Sequence, residues 1–201
     1  MKNLLTKLAI SSAFLLSTSV FAQKSPFSYN YVEAGYGFGT IEVLGASFDT
    51  TGFGVSGSAS LNDSIFLGGS FTDGQAKLNG VTINQDTWTL GVGARLPAGQ
   101  STDFVSTISY INSRLSALGA AETVTGYGVD IGLRHLVGEK VELSAGVGMS
   151  ILGDDNERTT DFSAGLRFRV SKEASVGISY TAANADGGDS RTTLISARLE
   201  F

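Results

Sequence analysis

The sequence predicts an all-β fold, a closed antiparallel up-and-down transmembrane β-barrel of ten strands. Three observations lead there. Segments of about ten residues alternate apolar side chains with polar ones or glycine, the period of a strand. The connections between them alternate in length, as in barrels with tight turns on one side of a membrane and longer loops on the other. No uninterrupted apolar run reaches the roughly 18 residues that a membrane-spanning helix needs.

The pattern is clearest in Gly126–Leu152. Tyr127, Val129, Ile131 and Leu133 alternate with Gly128, Asp130, Gly132 and Arg134. After a turn at Val137-Gly138-Glu139-Lys140, Val141, Leu143, Ala145, Val147, Met149 and Ile151 alternate with Glu142, Ser144, Gly146, Gly148 and Ser150. Each strand therefore has one apolar face and one polar or glycine face.

The other strands follow in order. Tyr29–Phe38 places Val32, Ala34, Tyr36 and Phe38 on its apolar face. Gly52–Leu61 places Phe53, Val55, Ala59 and Leu61 there, and Ile65–Thr72 places Ile65, Leu67 and Phe71. Thr87–Leu96 carries Trp88, Leu90, Val92, Ala94 and Leu96; Pro97 then ends ladder pairing. Phe104–Asn112 is apolar on both sides, with Phe104, Ile108 and Tyr110 favoured outward. Asp161–Val170, Ser175–Ala183 and Thr192–Phe201 complete the set. The connections near 62–64, 97–103, 137–140 and 171–174 are short. Those near 39–51, 73–86, 113–125, 153–160 and 184–191 are longer and polar, and are expected to be outer loops. Eight strands is the alternative, if a pair near 65–72 or 104–112 does not span. Outward aromatics fall at two levels, Tyr36, Phe53, Phe71, Trp88, Tyr127, Phe162 and Tyr180 near the loop ends and Phe104, Phe168 and Phe201 near the turn ends. Interfacial girdles have this placement.

Composition bounds the function. Charged residues are only 16% of the chain and apolar ones 42%, too apolar for disorder and too poor in charge for an ordinary soluble domain. Zero cysteines exclude disulfides and thiolate metal sites, and a net charge of −5 gives no footprint for nucleic acid. Met1–Ala22 reads as a signal peptide, with Lys2 and Lys7 before an apolar stretch and Val20-Phe21-Ala22 before the expected cleavage at Gln23. The barrel then occupies residues 23–201 with a charge of −7.

By phase the interior receives Glu33, Arg95, Asp130, Arg134 and Glu142, together with Arg167, Arg169, Arg198 and Glu200. Four acids against five arginines suggest a paired lumenal plug rather than a selectivity ring of one sign. Arg134 and Glu142 flank a tight turn and can pair across it. A narrow passive channel lined by the same groups is the alternative. Nothing points to an enzyme or to a cofactor. His135, the only histidine, falls beside a turn on the outward face, away from any acid–base partner. The glycines at 35, 37, 39, 52 and 54 lie inside alternating strands rather than in a phosphate loop. Asp154, Asp155, Asn156 and Glu157, with Asp186 and Asp189, offer oxygen ligands for calcium or magnesium, but a solvated loop is their commoner meaning.

Ser28–Gly39 (SYNYVEAGYGFG), Asp86–Pro97 (DTWTLGVGARLP) and Gly126–Gly148 resemble the small proteobacterial outer-membrane barrels of the outer-membrane-protein-A-like superfamily, and most of all the diffusible-signal-regulated Ax family. The resemblance covers essentially the whole mature chain. It implies residence in the outer membrane, release in vesicles, and links to biofilm and motility, with no catalytic residues. The expected partners are outer-membrane lipid and lipopolysaccharide, with periplasmic chaperones and the barrel-assembly machinery during biogenesis. The expected state is a monomer. Phe201, following Ile195, Ala197 and Leu199, looks like the signal that this machinery reads.

Overall fold

The computed structural model describes residues 25–43, 45–78, 81–153, 157–185 and 188–201. The expected leader Met1–Ala22 lies outside the described residues, as do Asp154, Asp155, Asn156 and Asp186 of the acidic cluster. The chain forms ten strands: β1 (Tyr31–Val43), β2 (Ala46–Ser60), β3 (Ile65–Leu78), β4 (Val81–Pro97), β5 (Thr102–Ala117), β6 (Ala120–Val137), β7 (Val141–Leu152), β8 (Glu157–Arg169), β9 (Ala174–Ala185) and β10 (Gly188–Glu200). Each strand pairs antiparallel with its neighbours in sequence, and β1 pairs with β10 to close the barrel. Ten strands therefore replace the eight-stranded alternative.

The expected long loops are a correction. The stretch 39–51 is almost entirely strand, since β1 runs to Val43 and β2 begins at Ala46. Likewise β3 and β4 extend through most of 73–86, β8 already runs through 157–160, and β9 and β10 extend through most of 184–191. In 113–125 the chain reverses in two residues, Leu118 (φ 53°) and Gly119 (φ 81°). Positive φ at both centres of a two-residue hairpin matches the twist of the flanking strands.

These stretches are polar overall, yet they still alternate, and their apolar residues have changed side. Within the lower barrel Val129, Ile131, Leu143 and Val147 point outward and are exposed, while Asp130, Arg134 and Glu142 are buried inside. Beyond Phe38, Trp88 and Tyr127, the outward residues are Glu42, Asn84, Arg114 and Thr123. The inward ones are now Ile41, Val43, Ile83, Leu115 and Val124, which pack together as one buried cluster. An apolar exterior suits lipid, and an apolar interior with a polar exterior suits water. The inversion thus marks the level at which the wall leaves the bilayer.

An aromatic belt sits at this level. The register sets Tyr36 beside Phe53, Phe71 beside Trp88, and Tyr110 beside Tyr127. The Trp88 and Tyr110 rings lie 5.3 Å apart and those of Tyr110 and Tyr127 5.7 Å apart. The sequence places these aromatics at strand ends; they lie instead within the strands, because they track the edge of the lipid rather than the end of the ladder. Phe104, Phe168 and Phe201 face outward at the opposite end and are exposed.

Ile131 and Thr123 share the outward face of β6 on opposite sides of the inversion. Ile131→Arg is expected to impair folding by roughly 2–4 kcal/mol, the range for arginine at the midplane of a barrel, and Thr123→Arg to be neutral. Heat-modifiable gel mobility and urea titration of refolded protein measure both; equal tolerance would contradict the assigned lipid boundary.

Candidate functional site

The candidate site is the interior. Its lower half, at the end where β1 begins and β10 ends, is built around two acids. Glu33 on β1 lies directly opposite Arg198 on β10, so the closing seam sets them side by side. Arg198 Nη2 is 2.6 Å from Glu33 Oε2, and its Nε donates to the same oxygen at 2.7 Å. Arg167 on β8 reaches over β9 and β10 to donate to Glu33 Oε1 at 2.6 Å. It crosses β9 at Gly177, where an added Cβ would stand 3.2 Å from the Arg167 guanidinium carbon. The second acid is Glu142. The turn pairs Arg134 with Ser144 and Leu136 with Glu142, which makes Arg134 and Glu142 diagonal neighbours on the inner face. Arg134 donates through Nε at 2.7 Å and through Nη2 at 2.9 Å, a bidentate grip.

Residues before β1 complete this layer. The segment Ser25–Asn30 folds into the barrel mouth, with Phe27 and Tyr29 buried. The Arg134 guanidinium lies 4.4 Å from the Phe27 ring centre and 4.9 Å from that of Tyr29. Its Nη1 has no hydrogen-bond partner, so the rings cover what the carboxylate leaves. Arg198 stands over Tyr31 in the same way, at 3.9 Å. Asp103, fully buried, anchors the segment by accepting from Ser25 Oγ at 2.6 Å and from Tyr29 Oη at 2.8 Å.

The remaining residues expected inside take other places. Arg169 donates to the Pro26 carbonyl at 2.8 Å. Arg95 lies over Tyr29 at the mouth and donates to the Asp63 carbonyl. Among the described residues neither meets a carboxylate. Glu200 faces the interior near the seam, with Oε1 buried and unpartnered. Asp130 lies farther up the lumen and, among the described residues, is joined by no arginine. Its neighbour there is Asp161, on β8. His135 faces outward, its Nδ1 2.8 Å from the Thr102 hydroxyl. Phe201 is exposed after β10, and its amide donates to the Asn30 carbonyl.

The sequence reading missed Phe27, Tyr29, Asp103 and Asp161. Asp161 shares the phase of Ser163 and Arg167 and could have been found by it. Asp103 sits beside Pro97, which drew it into a turn. Nothing in the alternation marks a segment before the first strand as folding inward.

A cavity of about 590 Å³ opens at the mouth, among Phe27, Tyr29, Asn62 and Arg95, and the spaces deeper in the lumen are small. A cavity of about 90 Å³ lies among Glu33, Arg134, Glu142 and Arg198. A second, of about 30 Å³, lies higher, beside Asp130. Above them, Ile41, Val43, Ile83, Leu115 and Val124 meet from opposite walls. Among the described residues no three His, Asp or Glu side chains are grouped to hold a metal ion.

The Arg134–Glu142 pair is nearly inaccessible, at 2% and 5% exposure. Arg134→Met, which strands a buried carboxylate, is expected to destabilise the barrel by about 3–5 kcal/mol. Arg134→Met with Glu142→Leu should recover most of that loss. Urea unfolding in detergent compares the variants; additive losses would contradict the coupling.

The barrel fold is shared with solved outer-membrane structures. It matches the β-domain of the Bordetella autotransporter BrkA at a TM-score of 0.55 and 13% identity, covering 87% of this chain and 100% of that one. It matches the translocator domain of the autotransporter NalP from Neisseria meningitidis at 0.51 and 14%, covering 86% and 88%. Neisserial surface protein A aligns at 0.49 and 14%, covering 87% and 98%. At such identities the likeness concerns fold alone. No curated protein matches the chain. The sequence profile of the outer membrane protein β-barrel domain matches residues 8–201, and so the chain belongs to that family and resides in the outer membrane.

Proposed function

We propose that the protein is a closed, non-enzymatic barrel that serves envelope structure and surface interaction of the biofilm or adhesion type. One observation supports this reading: two packed layers of side chains lie along the lumen. The arginine–glutamate–aromatic layer packs in the periplasmic half, and the apolar cluster of Ile41, Leu115 and their neighbours packs in the outer half. A solute path has to cross both. What projects from the membrane is an extension of the strand wall with a polar outer face, bearing Glu42, Lys77, Asn84, Arg114 and Arg158. This face, rather than long loops, would meet a partner. The finer kinship with the diffusible-signal-regulated Ax barrels, and the role of Phe201 as an assembly signal, belong to the same proposal. Their support is the strand motifs of Ser28–Gly39, Asp86–Pro97 and Gly126–Gly148, and the apolar alternation that leads into Phe201.

In planar bilayers the unmodified protein is expected to pass no steady current. Phe27→Ala with Tyr29→Ala opens only the lower obstruction and should remain silent. Adding Ile83→Gly and Leu115→Gly should permit conduction, because two barriers in series both have to fall. Steady current through the unmodified barrel would replace this reading with a small passive channel. Cells lacking the protein should lose surface attachment while keeping their small-solute permeability; the reverse outcome would also favour the channel.

A further inference from the structure

We propose that the barrel holds a hard divalent cation of the calcium class between Asp130 and Asp161, in the middle of its lumen. The register explains the convergence of these two acids. Gly148 on β7 pairs with Asp130 on β6 and with Asp161 on β8, so the acids flank a position that has no side chain. Both lean over it. One oxygen of each carboxylate lies within 2.6 Å of the point that a Gly148 Cβ would occupy, so the two oxygens are at most about 5 Å apart. Calcium–oxygen distances of about 2.3–2.6 Å let one ion, displaced toward the lumen, bind both.

The surroundings favour a cation and supply ligands. Asp130 and Asp161 are 4% and 5% exposed, and among the described residues neither has an ion-pair or hydrogen-bond partner. The arginines that could neutralise them are engaged lower down, by Glu33, Glu142 and the Pro26 carbonyl. Two ionised carboxylates this close and this buried repel each other unless something positive lies between them. Next to them is a set of unsatisfied oxygens. Thr107 lies directly opposite Asp130, and Ser150 pairs with Thr159 one step above Gly148 and Asp161. The hydroxyls of Thr107, Ser109, Ser150 and Thr159 are buried without a partner. So are those of Ser56 and Ser58, across the cavity of about 30 Å³ that Asp130 lines.

The chemistry of this set selects among ions. Every candidate ligand is oxygen, with no imidazole or thiolate, which disfavours transition metals. Calcium accepts six to eight oxygens in irregular arrangements, whereas magnesium demands a near-ideal octahedron and gives up its waters reluctantly, which ligands fixed on separate strands of a wall suit poorly. A water alone could satisfy the hydroxyls but would leave the two charges uncompensated. With two carboxylates and otherwise neutral ligands, the affinity expected is in the millimolar class.

The test uses the folded full barrel in detergent, stripped with a chelator and titrated with calcium chloride. Calorimetry should find one calcium per barrel, and the thermal midpoint should rise with calcium. Asp130→Asn with Asp161→Asn should abolish both responses, and the stripped double variant should be more stable than stripped wild type because the repulsion is gone. Asp154→Asn with Asp155→Asn, in the β7–β8 connection, should leave the calcium response intact. Persistence of calcium binding in the Asp130/Asp161 variant would overturn the proposal. So would a wild type indifferent to calcium, and stabilisation of that protein by acid alone would assign the pair to a shared proton instead.

Discussion

A strand inside lipid has no water to satisfy its backbone, so the sheet cannot end in an open edge. In this chain the constraint is met by one pairing, β1 against β10, which joins residues almost a whole chain apart. The rest of the architecture depends on it. Closure at ten strands leaves an interior narrow enough for side chains to fill. The chain fills it differently at each height, with arginines and aromatics where β1 begins and β10 ends, hydroxyls and carboxylates in the middle, and aliphatic residues at the top.

The charges in this interior are sorted by level rather than mixed. Glu33 and Glu142 are each gripped by arginine, and the guanidinium edges that the acids leave unpaired face Phe27, Tyr29 and Tyr31. Such a layer tolerates burial because its members are largely satisfied, and removing one partner is far more damaging than replacing both. The middle layer has the opposite balance, with acids and hydroxyls but, among the described residues, no cationic side chain. The two levels therefore respond to different agents, the lower to loss of a side chain and the middle to ions.

The membrane-embedded fold was legible because lipid imposes period two with apolar residues outward. That signal appears in every strand from Tyr36 to Leu199. The extended part was misread as loops for the same reason: once the wall enters water the rule reverses, and a polar stretch with Ile41 and Val43 looks like an ordinary connection. Searching for a change of phase, rather than its loss, would have found it. Phase also placed Glu33, Arg134 and Glu142 inside. It could not tell that Arg95 and Arg169 meet carbonyls rather than carboxylates, since periodicity fixes a face but not a partner. Nor could it reveal the inward fold of Phe27 and Tyr29, which depends on Asp103, far along the chain.

The seam between β1 and β10 carries information that alternation cannot. A slip of one residue would turn every side chain to the wrong face and is excluded by hydrophobicity. A slip of two keeps every apolar residue in lipid and is invisible to that criterion. It is not invisible to Glu33. In the observed register this acid meets Arg198; displaced by two it would face Ser196 or Glu200, a neutral hydroxyl or a second acid. The ion pair thus works as a key for alignment at the only junction that no hairpin turn can set, and it identifies the correct closure among ladders that lipid would accept equally.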